Sequence, residues 1–255
     1  MNNRIAVITA GHKGIGLSVS HALTEAGTQV VIGVRECESP DTVQRVAEAT
    51  QGQGILLTLD VRSTDSVTRF ATQVKERVGE VDILVNNAGV ASHQYVEAQS
   101  DEDWDAVIDT NLSGPFRTTR AFLPSMKARG WGRIINIAST AATTAVADSA
   151  AYCASKSGLL GLSRAVAVDG APYGVNCITV SPTWIETDML HQSAASIAKE
   201  SGQTSAEVLQ KIKDSNPQKR LVQASEIASL VNFVCSDACA GLTMEDIQVN
   251  AGAFW

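Results

Sequence analysis

The chain has 255 residues, 44% hydrophobic and 18% charged, which excludes a disordered segment and suits one domain around a sizeable core. A formal net charge of −7 argues against a nonspecific nucleic-acid binder, and no apolar run approaches the roughly 20 residues that a membrane-spanning helix needs. The five cysteines (Cys37, Cys153, Cys177, Cys235, Cys239) form no CxxC pair and no disulfide-like framework, so the expectation is a reducing cytoplasm and no metal site.

Strand-like and helix-like stretches alternate along the chain. IAVIT, from Ile5 to Thr9, is a short apolar run; a glycine-rich turn and a helix to about Glu25 follow, and Gly27 marks the helix end. TQVVIGV is a second strand, residues 41–50 read as helix, and GILLTLDV is a third strand. A helix over 64–78 leads to VDILVNNAG, a fourth strand and turn. Helices over 101–112 and 115–129 precede GRIINIAS, the fifth strand. A long helix, SAAYCASKSGLLGLSRAVAVDGA, leads to the sixth strand, NCITVSP. Residues 185–218 are polar, partly helical and long for a connection, and are read as a lid over the substrate. SEIASLVNFVCSD is a last helix and EDIQVNA a last short strand. Continuous apolar strands separated by helices predict an α/β chain: a single doubly wound Rossmann-type domain over 1–255, its parallel sheet flanked by helices.

Thr9-Ala10-Gly11-His12-Lys13-Gly14-Ile15-Gly16 joins the first strand to the first helix. Glycines there let the backbone approach a pyrophosphate, and the helix start offers free N–H groups. Further along stand Asn86-Asn87-Ala88-Gly89, Asn111 in DTNLSG, Ser139 in INIAS, and Tyr152 with Lys156 in YCASK.

In these motifs the chain resembles the classical short-chain dehydrogenase/reductase family over essentially its whole length. Gly14 and Gly16 match the family's TGxxxGxG turn; Ala10 replaces its first glycine, a small change in size. The resemblance implies a dinucleotide held by Gly11, Lys13, Gly14, Ile15 and Gly16, by Asp60 and Val61, by Asn87, Ala88 and Gly89, by Tyr152 and Lys156, and by Pro182, Ile185 and Thr187. Asp60 aligns with an acid near the adenine amine, although it could equally cap the following helix. Ile185 and Thr187 align with residues that contact the nicotinamide carboxamide.

An acid ending the second strand would favour NAD. The family alignment puts Val34 there, followed by Arg35, and Lys13 precedes Gly14. Both cations can meet a 2′-phosphate, so NADP(H) is expected, with NAD(H) the alternative.

Tyr152 and Lys156 are four apart and share a helix face. A neighbouring ammonium favours the phenolate, so Lys156 is expected to ease ionisation of Tyr152. Ser139 can donate to a substrate oxygen while Tyr152 delivers or removes its proton. The resemblance adds Lys156 as a holder of the nicotinamide ribose and Asn111 as support for a water chain. Asn111, Ser139, Tyr152 and Lys156 form the expected catalytic set.

Family positions put His93, Tyr95, Ala141, Trp184, Met189 and His191 around the substrate. Lys127 and Arg129 match a cluster that docks an acyl carrier in the 3-oxoacyl-[acyl-carrier-protein] reductases, but Tyr173 replaces the second cation. GWGRIINIAS and the lid length resemble the hydroxybutyrate dehydrogenases, yet Ala141 and Ser149 stand where those enzymes bind a carboxylate. Lys211, Lys213, Lys219 and Arg220 in the lid are read as a solvated face. The expected substrate is a small or medium ketone or its alcohol, without nucleic-acid or membrane partners. The resemblance implies a homotetramer, with Phe254-Trp255 at a subunit interface.

Overall fold

The computed structural model of the chain describes residues 3–253, so the Phe254-Trp255 tail lies outside the described residues. Seven strands form one parallel sheet: β1 (Ile5–Thr9), β2 (Gln29–Val34), β3 (Ile55–Thr58), β4 (Ile83–Asn86), β5 (Gly132–Ile137), β6 (Val175–Pro182) and β7 (Asp246–Val249). Their order is β3-β2-β1-β4-β5-β6-β7, with every neighbouring pair parallel. The order reverses between β1 and β4, and there the outgoing connections part and leave a crevice at the carboxyl edge.

Alternate strand residues serve two cores, which is why the runs are continuously apolar. Ala6, Ile8, Val30, Ile32, Ile83, Ile135 and Ile178 pack against α1 (Gly14–Glu25), α2 (Pro40–Ala49) and α9 (Ala224–Val234). Val7, Val31, Leu84, Ile134 and Cys177 face α3 (Thr64–Val78), α5 (Gly114–Arg129) and α6 (Ala150–Gly170). No helix of the described residues is long and apolar enough to cross a membrane.

One stretch departs from the sequence reading, and a second, read as partly helical, takes definite form. The helix expected over 101–112 is α4 (Asp101–Ile108), followed by a wide π-type turn over Asp109–Ser113. Pro115 opens α5 without an N–H to offer the Asn111 carbonyl, so the ordinary helical bond is missing there and the turn widens. The stretch 185–218 folds mainly as two helices, α7 (Asp188–Ser201) and α8 (Ser205–Ser215). They share a small apolar cluster of Ala194, Ala198 and Val208, apart from the two main cores.

Candidate active site

The turn after β1 is shaped to bring backbone against a ligand. A Cβ on Gly16 would sit 2.5 Å from both the Ala10 oxygen and Asn87 Nδ2, so only glycine fits. Gly14 opens α1 at φ +52°. No side chain caps that helix start and no acid occupies its first turn, which leaves its N–H groups and partial positive charge for an anion. These features fit a dinucleotide pyrophosphate. Ala10 has φ +54°, the left-handed region that favours glycine. The replacement of glycine thus matters through backbone conformation rather than size.

Polar contacts fasten the turn to the neighbouring strand end. Thr9 Oγ1 accepts from the backbone N–H of Asn87 (3.0 Å) and Ala88 (2.9 Å). The Asn87 side-chain amide donates to the carbonyls of Thr9 (3.1 Å) and Ala10 (3.2 Å), so it shapes the turn itself. Ser20 on α1, which sequence reading missed, donates to the Gly11 and Gly16 carbonyls.

At the far side of the crevice Val34 closes β2, buried, and Arg35 is exposed beside it, as is Lys13. Neither cation forms an ion pair with any described residue. Asp60 is chelated by Arg62 at 3.1 and 2.9 Å, and that hydrogen bonding holds its carboxyl below the usual range. Ser63, not Asp60, caps α3 through the Ser66 N–H. Val61 is buried against Gly114.

Around the ends of β4 and β5 the four expected catalytic residues come together. Lys156 is buried and donates to the Ile137 carbonyl at 2.8 Å; its Nζ lies 5.7 Å from the Tyr152 ring centroid. A Cβ on Gly89 would lie 3.5 Å from Asn111 Oδ1 and 3.6 Å from Lys156 Nζ, so a bare glycine adjoins both groups. Asn111, in the π-type turn, accepts from the Val90 N–H (2.9 Å) and donates to the Val90 carbonyl (2.9 Å) and Ser155 Oγ (3.1 Å). Ser139 Oγ accepts from the Ala141 N–H at 3.1 Å, which leaves its proton free to be donated.

The electrostatics reverse one expectation. Burial raises the Tyr152 phenol above its usual value; hydrogen bonding to Ser139 offsets part of the rise and Cys153 adds to it. Burial also brings Lys156 down to about 8. Lys156 is not among the groups that shift Tyr152, so burial sets the direction and the free chain holds Tyr152 as a neutral phenol at pH 7.

The first residues of the 185–218 stretch overhang the turn. Thr187 precedes α7, and its Cγ2 would be 3.2 Å from a Cβ on Gly14. Pro182 ends β6, and Ile185 is buried and bridges to Val222. His93 links three elements: its Nε2 lies 3.0 Å from Ser193 Oγ on α7, and its Nδ1 lies 3.4 Å from both Asp148 Oδ1 and Ser149 Oγ. Asp148 is held at φ +55°. Ala141 is buried and Trp184 half-buried, while Tyr95 and Met189 are exposed and His191 turns outward to Glu186 at 3.1 Å.

The basic residues considered for carrier docking do not join this site. Lys127 and Arg129 end α5, just before β5 begins, and so stand at the opposite edge of the sheet from Tyr152. Lys127 lies over the Tyr173 ring (5.1 Å) and Arg129 pairs with Asp82 (2.5 Å). Just past the 185–218 stretch, Arg220 pairs with Glu226 and Lys219 donates to the Asp214 carbonyl.

Comparison with known proteins bears on the family and the fold. The family profile described as Enoyl-(Acyl carrier protein) reductase matches residues 9–253. The chain is 36% identical to the ketoacyl reductase assigned to the monensin polyketide synthase of Streptomyces virginiae, over 98% of this chain and 97% of that protein. It is 33% identical to the D-beta-hydroxybutyrate dehydrogenase of Rhizobium meliloti, over 98% of each. A variant of actinorhodin polyketide ketoreductase, crystallised with NADPH, superposes with a TM-score of 0.93 at 32% identity, covering 98% of this chain and 96% of that one.

Proposed function

The chain belongs to the short-chain dehydrogenase/reductase family, and from that premise we propose that it is an NADP(H)-dependent ketoreductase. On this reading it interconverts a small or medium, uncharged or weakly polar ketone and its secondary alcohol. The observation that carries the reading is the meeting of Ser139, Tyr152, Lys156 and Asn111 at the strand ends, beside an uncapped helix start.

When bound, the cofactor supplies or removes the hydride at the carbonyl carbon. The chain's own residues manage the oxygen and its proton. Ser139 donates a hydrogen bond to the carbonyl oxygen and keeps it near Tyr152. In reduction the neutral phenol of Tyr152 gives up its proton as charge develops on that oxygen; in oxidation the phenolate takes it back. Burial keeps the phenol protonated in the free chain, the form that reduction requires. Lys156, fixed on the Ile137 carbonyl, stabilises the phenolate left behind, and Asn111 fixes the Val90 loop beside it.

Gly11, Gly14, Ile15 and Gly16 with the N–H groups of α1 cradle the pyrophosphate, Asn87 holding their shape. Lys13 and Arg35 take the 2′-phosphate; both lack an ion-pair partner among the described residues, and Val34 offers no acid to a ribose hydroxyl. Asp60, Val61, Ala88, Gly89, Pro182, Ile185 and Thr187 line the rest of the crevice. The helices within 185–218 close over the substrate, fastened through Ser193 and His93. The reading includes a cytoplasmic homotetramer, for which the exposed Trp104, Phe116 and Phe233 supply apolar area.

Absorbance at 340 nm, a wavelength set by the cofactor at roughly that value, measures the reaction over a panel of ketones with NADPH and with NADH. The expected outcome is reduction of uncharged ketones with NADPH at least about tenfold more efficient, a difference of about 1.4 kcal/mol. A tenfold preference for NADH overturns the cofactor assignment.

A further inference from the structure

His12 occupies the turn between β1 and α1, two residues before the helix begins. It is half-buried, and its Nδ1 is shut away from solvent with no hydrogen-bond partner. A buried polar atom left without a partner calls for an explanation, and a ligand that arrives later is one. Three cations act on the ring from three elements: Lys13 in the turn, Arg45 on α2, and Arg35 past the end of β2. Arg45 is paired with Asp41 on its own helix, whereas Lys13 and Arg35 form no ion pair with any described residue. Glu36 and Glu38 are exposed on the strand-to-helix connection beside Arg35, and neither they nor Asp41 act appreciably on His12. Burial first, then the three cations, hold the imidazole below its ordinary value, so it is neutral in the free chain at pH 7.

Thr9 pairs with Gly33 and the Ala10 N–H donates to the Gly33 carbonyl, so the turn that carries His12 and Lys13 lies beside the strand end that carries Arg35. Such a place, with an unanswered ring nitrogen, suits a group that is anionic and rich in acceptor oxygens. Resting on the NADP(H) reading above, we propose that His12 is the proton-accepting member of the 2′-phosphate subsite, binding the phosphate with Lys13 and Arg35 and taking up a proton as it does so. The proton comes from solvent and goes to a ring nitrogen; no other covalent bond changes. A neutral imidazole offers one N–H, while the protonated ring offers two and adds a charge. The phosphate dianion reverses the field that Lys13, Arg35 and Arg45 impose on the ring. NADH brings no such anion, so discrimination between the two cofactors is sharpest at lower pH and declines as pH rises and the bound imidazolium is lost.

Calorimetric titration of the full chain with NADPH and with NADH tests this, in buffers of different ionisation enthalpy, which counts the protons bound. Wild type is compared with His12→Gln and with His12→Asn, both polar and non-titrating, and circular dichroism melts confirm that the variants fold. At pH 7.5 the 2′-phosphate, whose second ionisation lies near about 6, is already dianionic in every sample. The expected result is at least about 0.3 proton more taken up per NADPH by wild type than by either variant, and no such difference with NADH. Between roughly pH 6.5 and 8.5, wild-type affinity for NADPH falls by about three- to tenfold more than that of His12→Gln. Equal proton counts in wild type and both variants, with NADPH still preferred over NADH, overturn the role of His12 and leave the cofactor reading standing. NADPH bound no more tightly than NADH by wild type removes both.

Discussion

Two buried cations stand at opposite edges of the sheet, and neither has a carboxylate partner among the described residues. Arg133 lies near the start of β5, 3% exposed; Lys156 reaches the end of the same strand, 4% exposed. Their surroundings differ in kind. Arg133 donates to the Gly132 carbonyl (2.8 Å) and lies 4.3 Å from the Trp131 ring centroid, with Arg4 also stacked on that ring at 3.2 Å. α5, α6 and α9 all end at this edge, where their partial negative charge favours a guanidinium. Asp237 binds Arg4 and the Trp131 indole N–H, fastening residue 4 to residue 237. Even so, Arg133 Nε is buried without a hydrogen-bond partner, and burial lowers the guanidinium from its ordinary value. Lys156 has one carbonyl partner at 2.8 Å and open glycine at Gly89. An arginine stays charged whatever its surroundings, whereas a lysine can give way, and Lys156 comes down to about 8. The lesson is that burial and an unmet donor do not by themselves mark function; what separates the two cations is that only the lysine, at the crevice, can release its proton.

The strongest way to break this comparison is to remove the group that the lysine serves at the carboxyl edge. Tyr152→Phe removes the phenolic proton and leaves the cavity nearly unchanged. Turnover is expected to fall by at least ~10²-fold, in the range of general acid–base contributions, with cofactor affinity by fluorescence titration within about twofold. A variant that keeps more than about a tenth of the wild-type rate would show that proton transfer runs through some other group.

The second test sets the two cations against each other. Lysine held at about 8 instead of its ordinary 10.5 costs the fold about 3 kcal/mol at neutral pH. Its folded value is the lower one, so the unfolded chain binds more protons between those limits. The cost is complete below about 8 and relieved as pH rises toward 10.5. Lys156→Met should therefore raise stability at pH 7 by about 1–2 kcal/mol, once the lost bond to Ile137 is deducted, and the gain should shrink at higher pH. Arg133→Met leaves the Gly132 carbonyl without its donor and removes the stacking on Trp131, and should lower stability by about 2–3 kcal/mol. Urea melts at matched pH measure both. Changes of the same sign in the two variants would end the distinction drawn between the edges.

What sequence could show follows the same division. Strands buried on both faces leave continuous apolar runs, and glycines forced by close approach, such as Gly16, leave a motif; both were legible. So was the grouping of Tyr152 with Lys156, because helical spacing alone puts them on one face. Features that depend on chain segments meeting from afar were not. The Arg4–Trp131–Arg133 stack joins positions 4 and 131, and nothing local in the sequence pairs them. The widened turn at Asn111 was signalled only by the missing N–H of Pro115, and the strain at Ala10 only by a backbone angle. The raised value at Tyr152 was not legible, because spacing reveals the ammonium nearby but not the burial that sets the direction of the shift. Lys127 and Arg129 looked like part of an active-site mouth until the direction of α5 put them at the other end of the sheet.

The smallest effect expected concerns the mobility that separates the two edges. At the amino edge an ion pair and stacked rings join distant segments, whereas α7 and α8 have only their own small cluster and a few polar ties. Chief among these is His93, between Ser193 on α7 and the Asp148–Ser149 pair before α6. His93→Ala removes these hydrogen bonds without touching Tyr152, Lys156 or the glycine-rich turn. Each such bond is worth about 1 kcal/mol, so KM for the ketone should rise by about three- to tenfold with kcat within about twofold. Amide exchange should quicken across residues 188–201 and stay unchanged at residues 131–134 on the opposite edge. His93→Gln, which can both donate and accept, should recover part of the loss. A local effect on packing alone would alter exchange and leave KM untouched; unchanged exchange over 188–201 would mean that these helices are held by their own apolar cluster and that His93 does not fasten them.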